Sequence, residues 1–265
     1  VRVLVVGRGK VGRSLHRALV GASIDAKLRR GRSARISASG CSVVLLAVPD
    51  PHLESVARSL VGLEAGAVVA HLAGAVDPHA LAFLEARGAR VARAHPLLSF
   101  PRVVEPDALV GGALVLTGPR GAVQPIARLA RALRMRPVVV RQLDATLYHL
   151  GAALLANGAV AIAAEVERIW LAAGVPRAAL RRLLGPLLGS VASNLGERGA
   201  SGALSGPVAR GDVETVRRHL AALPSPSTRE LYLALAALQL DLVRPPGDPE
   251  RAPMEKLLRA ARRRG

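Results

Sequence analysis

The chain has 265 residues, 51% of them apolar but only 2% aromatic, with one cysteine and 37 Lys and Arg against 19 Asp and Glu, a net charge of +18. That length accommodates two domains of ordinary size, and a core so poor in aromatics must be packed by Leu, Val and Ala, which suits a helical or α/β protein and argues against a β-sandwich. The lone Cys41 excludes an internal disulfide framework and leaves no partner for a cysteine metal site; no metal is expected, and the cytoplasm is the default compartment. The first apolar run starts without a charged leader or cleavage site, so no signal peptide is expected.

In chain order, apolar runs predict strands near Val1–Val6, Ser23–Leu28, Val43–Val48, Ala67–Leu72, Arg90–Ala94, Ala113–Thr117 and Pro137–Val140. Helix-sized amphipathic stretches lie between several of them, near Val11–Val20, Leu53–Leu60, Pro78–Ala86 and Val123–Arg134. Strands alternating with helices imply a mostly parallel, doubly wound sheet. From Asp144 the strand signal stops. Helical patterns then run over Asp144–Ala173, Pro176–Leu195, Asp212–Leu223, Ser227–Leu242 and Pro249–Arg263, separated by Gly and Pro. The expected architecture is α/β: residues 1–143 form the sheet domain and residues 144–265 an all-helical domain.

The opening stretch VLVVGRGKVGRSL carries Gly7, Gly9 and Gly12 at G-x-G-x-x-G spacing, between an apolar run and a helical pattern. Gly7 permits the tight turn, Gly9 lets the backbone approach a pyrophosphate, and Gly12 seats the helix against the strand. With Arg8, Lys10 and Val11 these residues form the expected diphosphate cradle at the positive end of the helix. The end of the second strand selects the dinucleotide. Where an acid would bind the ribose hydroxyls of NAD, this chain has Arg29, Arg30, Arg32 and Ser33. Guanidinium groups bind a 2′-phosphate as charge-assisted forks, so NADP is the expected cofactor, with Arg30, Arg32 and Ser33 on the phosphate. Ala47, Val48 and Pro49, after the third long strand, complete the cofactor set. The connection Gly31–Ser42 is too short for the usual helix plus strand, which leaves the adenine wall unassigned.

Ligands of open α/β sheets lie outside the carboxyl ends of the strands. Polar residues stand at three such ends: Asp50 after LLAVP, His71 before Gly74, and His95 before Pro96. Each has a bland reading as a cap or surface residue, but together they surround one crevice.

AVPD, the His-Leu-Ala-Gly-Ala stretch, AHPLLSF, LYHLGAALLANGAVAI (Leu147–Ile162) and LSGPVARGDVETVRRHLAAL (Leu204–Leu223) resemble the Rossmann-like proteins that carry the C-terminal domain of unknown function 2520. That family is similar to pyrroline-5-carboxylate reductase, ketopantoate reductase and the deazaflavin-linked NADP reductases, within the superfamily having a helical domain like that of 6-phosphogluconate dehydrogenase. The resemblance implies a Rossmann-type NADP-binding domain, an all-helical second domain and dimerisation through those helices. Two departures matter. Many relatives carry a Lys and an Asn one helical turn apart on the first long helix; if Asn157 takes the Asn place, the earlier position holds Ala153. Ala73 stands where the family usually has Ser. His149 precedes Asn157 by about two turns and can face the same side of the helix, so an imidazole replaces the lysine as proton donor.

The sequence therefore predicts an NADP(H)-dependent oxidoreductase acting on a carbonyl or imine, or the matching alcohol or amine, of a small metabolite in a cleft between the domains. His149 and His95 are its candidate donors and Asn157 positions the substrate. The alternative is a catalytically silent NADP-binding sensor or scaffold, and a third option is a nucleic-acid-associated protein. Against the third, the basic residues are nearly all Arg and scattered through the chain, so no specific nucleic-acid partner is expected; the tail Arg259–Gly265 reads as a weak polyanion contact or a frayed end. The stretch Ala145–Ala164 lacks Asp, Glu, Lys and Arg over about 20 residues, long enough to cross a bilayer. Tyr148, His149 and Asn157 would sit unpaired in hydrocarbon, so it is read as a helix enclosed within a helical domain, with partner-chain helices completing the enclosure in a homodimer. In GPVARGD, Asp212 reads as a helix cap and Arg210 is left open.

Overall fold

The computed structural model describes residues 1–263; Arg264 and Gly265, the end of the basic tail, lie outside the described residues. It contains two compact units, Val1–Asn157 and Gly158–Gly265.

In the first unit, β1 (Arg2–Val6), β2 (Asp25–Arg29), β4 (Val43–Leu46), β6 (Val68–His71), β7 (Arg90–Leu97), β8 (Ala113–Thr117) and β9 (Arg136–Val139) form one sheet in the order β2-β1-β4-β6-β7-β8-β9. All neighbours are parallel except β7 and β8. Side chains alternate between its faces. On one face Val3, Val5, Val43, Leu45, Ala92 and Ala94 pack against α1 (Lys10–Gly21) and α3 (Arg120–Ala132) through Leu15, Leu19, Val123 and Ile126. On the other, Leu4, Val6, Val44, Leu46, Val69 and Val91 pack against α2 (Leu53–Arg58) and the 3₁₀ segment Pro78–Arg87 through Val56, Leu81 and Leu84. This is the doubly wound arrangement that alternating runs predict.

Three local readings are corrected. Pro78–Arg87 is a 3₁₀ run and not the predicted α-helix. β7 continues past Ala94 to Leu97, because antiparallel pairing of His95, Pro96 and Leu97 with Val115, Leu114 and Ala113 extends the ladder; His95 is thus inside a strand. The short connection after β2 contains β3 (Ile36–Ser37), which pairs with β5 (Leu60–Val61) in a separate two-stranded sheet.

The second unit holds the later part of α4 (Ala145–Ala172), then α5 (Arg177–Ala203), α6 (Val213–Ala222), α7 (Pro226–Val243) and α8 (Ala252–Arg263). Its core comes from i, i+3 and i, i+4 stripes: Val216 and Leu220 of α6, Leu233, Ala236 and Leu240 of α7, and Met254, Leu258 and Ala261 of α8. The described part of the basic tail is the outer face of α8, where Arg259 pairs with Glu255 and Arg262 donates to the Leu233 carbonyl. The predicted boundary at Leu143 marks the change from strand to helix. The units themselves divide inside α4, whose first turns hold Tyr148 bonded to His95 of β7.

Among the described residues, the apolar helix is not enclosed. In α4 only Ala145 is buried, and Leu154 and Leu155 are 72% and 71% exposed. Leu187, Leu188 and Val191 of α5 are also exposed. α4 is the one helix among the described residues that is long and apolar enough to cross a membrane.

Asp212 caps α6, its carboxylate accepting from the Thr215 N–H at 3.0 Å, and Arg210 is exposed. Asp212→Ala is expected to cost about 1 kcal/mol of stability, measured by urea unfolding, whereas Arg210→Ala should change it by less than about 0.5 kcal/mol.

Candidate functional site

β1 ends at Val6, and Gly7 turns the chain with φ of +120°, where a Cβ would lie 2.1 Å from the Ala47 carbonyl oxygen. A Cβ on Gly12 would lie 2.1 Å from the Gly7 carbonyl oxygen, so α1 seats backbone against backbone. At Gly9 a Cβ would meet nothing within 4 Å: the backbone is open there to whatever approaches. No side chain caps α1 and no acid occupies its first turn, which leaves its positive end for an anion.

In front of this turn lies a cleft of about 540 Å³ lined by Gly7, Arg8, Gly9, Arg30, Gly31, Arg32, Ala47, Val48, Pro49, His52, Ser55 and Val56. Of the predicted cofactor set, Gly7, Arg8, Gly9, Arg30, Arg32, Ala47, Val48 and Pro49 line it, whereas Lys10, Val11, Gly12 and Ser33 do not. Gly12 acts through packing, and Ser33 is exposed away from the lining. His52, at the end of the 3₁₀ turn after Pro49, and Ser55, in the first turn of α2, escaped the sequence reading because they lie beyond any glycine signature. Arg30 and Arg32 have no ion pair among the described residues and no acid lines the cleft. These features fit a dinucleotide with a 2′-phosphate: an open backbone and helix end for the diphosphate, and two uncommitted guanidinium groups for the extra charge.

A second polar group occupies the same sheet. His71, Arg93 and Thr117 are cross-strand neighbours on β6, β7 and β8, and His95 follows Arg93 on the same face. His71 is fully buried with neither ring nitrogen hydrogen-bonded, so it lies beneath the crevice and not in it. Arg93 is 1% exposed; its Nη1 donates to the Gly74 carbonyl at 3.1 Å, while Nε and Nη2 have no partner. The guanidinium stacks on the Tyr148 ring, with Cζ 4.6 Å from the centroid. The Tyr148 hydroxyl is 2.8 Å from His95 Nδ1, and the His95 and His149 rings are 6.2 Å apart, edge to face. Gly74 floors the group: a Cβ there would lie 2.5 Å from His149 Nδ1 and 3.0 Å from His95 Nε2.

Burial, then the Arg93 charge, pushes both His71 and His95 down to about 4, so both are neutral at physiological pH. Burial raises the Tyr148 phenol, and Arg93 opposes that rise. The structure thus unites His95 and His149 and adds Tyr148, Arg93 and Gly74, which the sequence reading missed. Tyr148 was legible as the neighbour of His149. Arg93 carries no signal, since an Arg in an alternating strand reads as solvent-facing. Asn157 is exposed and about 12 Å farther along α4 than His149, and Asp50 is exposed at the start of a 3₁₀ turn; neither joins the group.

Residues 113–238, from β8 to α7, match the family model described as Domain of unknown function (DUF2520). No curated protein matches the sequence. Among solved structures, a Thermotoga maritima protein is 22% identical, covering 91% of this chain and 98% of that one with a TM-score of 0.67. A reductive aminase from Aspergillus terreus, in complex with NADPH and ethyl levulinate, is 17% identical over 96% of this chain and 98% of its own, with a TM-score of 0.59. A pyrroline-5-carboxylate reductase from Coxiella burnetii is 16% identical over 99% and 97%, with a TM-score of 0.55. At these identities the likeness is one of fold, and the chain has the Rossmann-like fold of these reductases.

The two depressed histidines make stability depend on pH. A histidine at about 4 when folded and 6.5 when unfolded binds fewer protons in the native state between those values, so its contribution is complete above pH 6.5 and is lost toward pH 4. Urea midpoints are therefore expected to hold above pH 6.5 and fall steadily below it, and His71→Gln should remove roughly half of the slope. A midpoint independent of pH between 4 and 6.5 would contradict the neutral burial.

Proposed function

We propose that the protein is an NADP(H)-dependent oxidoreductase that reduces a carbonyl or imine carbon of a small metabolite, or oxidises the matching alcohol or amine. One observation carries the reading: a glycine cleft with two arginines that form no ion pair among the described residues lies in the same compact unit as a partly exposed, proton-holding group of His95 on β7 with Tyr148 and His149 on α4. NADPH, when bound, supplies the hydride. The chain's own part is to bind the diphosphate at Gly7 and Gly9, to hold the 2′-phosphate with Arg30 and Arg32, and to deliver one proton over Gly74. His149 is the exposed member and faces solvent; His95 is the half-buried one. Asn157 stands too far along α4 to share the proton transfer, and its part is to contact the distal portion of the substrate.

Titration with both dinucleotides tests the cofactor choice. NADP is expected to bind at least about 100-fold more tightly than NAD, the worth of two charge-assisted hydrogen bonds at the low end, and Arg30→Ala with Arg32→Ala should abolish the difference. Equal affinities would overturn it. A panel of small keto and imino acids screened for NADPH oxidation then tests the activity. Tight NADP binding with no turnover on any member would favour the silent sensor.

The exposed apolar faces of α4 and α5 support a homodimer in the cytoplasm, with a second chain covering what this one leaves open. Protein is preferred to lipid as the cover because Tyr148 and His149, at the start of the same helix, are engaged with the sheet. Light scattering at micromolar concentration should give twice the mass of 27.5 kDa. A monomer there would count against the dimer.

A further inference from the structure

We propose, building on the reductase reading above, that Tyr148 is the proton donor and that the buried Arg93 beneath its ring is the positioning cation that makes it one.

A guanidinium keeps its charge in a protein, so burying one without a counter-ion is costly and asks for a compensating anion. Arg93 has none in the resting state. It forms no ion pair among the described residues, and two of its nitrogens lack any hydrogen bond. The groups that face it are His71 from β6, Thr117 from β8, His95 from its own strand, Asp77 from the loop after β6, and Tyr148 from α4, with His149 beyond His95. His71, Thr117 and His95 bring no negative charge. The Asp77 carboxylate acts on it only from a distance, with no ion pair between them; its Oδ1 accepts from the His79 N–H at 2.8 Å and lies 2.6 Å from His79 Nδ1. What remains against the guanidinium is the Tyr148 ring. When the phenol ionises, its charge spreads into that ring, and Arg93 gains the counter-ion it lacks. An interaction that strengthens only as charge develops is the kind that lowers a barrier.

His95 completes the device. A neutral imidazole carries one N–H, and with that proton on Nδ1 it donates to the Tyr148 oxygen at 2.8 Å, leaving the phenolic hydrogen free for the substrate. In reduction, hydride adds to the carbonyl or imine carbon, and the Tyr148 O–H bond breaks as a substrate O–H or N–H bond forms. The phenolate oxygen then takes the Nδ1 proton of His95 as Nε2, on the Gly74 side shared with exposed His149, takes a proton from solvent. The substrate gains one hydride and one proton, Tyr148 is again the neutral phenol, and His95 is left as the Nε2–H tautomer, which returns to the Nδ1–H form by proton exchange with solvent before the next turnover.

The test does not depend on knowing the substrate. The chain has only two tyrosines, Tyr148 and Tyr232, so in full-length Tyr232→Phe the ultraviolet titration of tyrosinate reports Tyr148 alone. Replacing Arg93 by Met is expected to raise the Tyr148 pKa by at least about one unit, a tenfold change in ionisation, with Arg93→Lys in between. An unchanged Tyr148 titration overturns the role of Arg93. If Arg93→Met does not fold, Arg93→Lys alone decides, by the same upward shift or its absence. With an active substrate in hand, Tyr148→Phe should lower kcat by about 100-fold or more and leave NADPH affinity unchanged, and wild-type kcat should stay flat from about pH 5.5 to 8. Full activity in Tyr148→Phe, or a fall of kcat through an imidazole pKa near 6.5, overturns Tyr148 as donor while leaving the reductase reading intact. Absence of turnover on every substrate would instead overturn the reductase reading, and the titration would still decide the Arg93–Tyr148 pairing.

Discussion

Parallel strand direction is the constraint on which the site depends. Because β2, β1, β4, β6 and β7 run the same way, the segments that leave them emerge on one edge of the sheet. The glycine turn after β1, the arginines after β2, the Ala47–Pro49 segment after β4 and Gly74 after β6 are far apart in sequence, yet direction alone collects them. Backbone contacts then set the distances. The missing side chains at Gly7 and Gly12 let Ala47, the turn and α1 close to contacts that any Cβ would forbid, which fixes where the helix end points. Chemistry at that edge can therefore be supplied by loops while the hydrocarbon on both faces supplies stability.

Electrostatically the edge contains two opposite environments. Arg30 and Arg32 are exposed and screened by water, so they contribute little to holding the fold, and their proposed part is to select a ligand. Arg93 is the reverse case. Burial first and the Arg93 charge second keep His71 and His95 neutral, and the same charge opposes the upward pressure of burial on Tyr148. A fold that stores an unpaired cation must offset its cost elsewhere, and the Leu and Val layers on either face of the sheet provide that reserve. The same burial and charge make His95 an ill-suited acid, and the donor proposed above is therefore the phenol beside it.

How much of this was legible in the sequence follows from the range of the interactions involved. The glycine cradle and the order of strands and helices were legible because they rest on local spacing and short apolar runs, and Asp212 because a cap is read three residues away. Ser33 does not line the cleft, and the path of the chain after β2, set by β3 pairing with the distant β5, has no local signal. Arg93 was hidden for a deeper reason. In an alternating strand a polar residue reads as facing water, and only the packing of the 3₁₀ segment and the first turns of α4 onto that face makes it dry. Burial of charge is a tertiary property, and no periodicity encodes it.

The same limit explains the long apolar helix. Hydrophobicity states that a face must be covered and is silent on the cover: the chain's own core, a bilayer and a second chain all satisfy a run of Leu and Ala. The structure removes the first of these, since the leucines of α4 and α5 point outward while α6, α7 and α8 close a core of their own. Gly151 and Gly158 on α4 present open backbone with nothing within 4 Å of a Cβ position, so another helix can approach there more closely than any leucine would permit. Small residues serve such close packing in water and in a bilayer alike, so the proposed preference for a second chain rests instead on Tyr148 and His149 at the start of the same helix, which are engaged with the sheet.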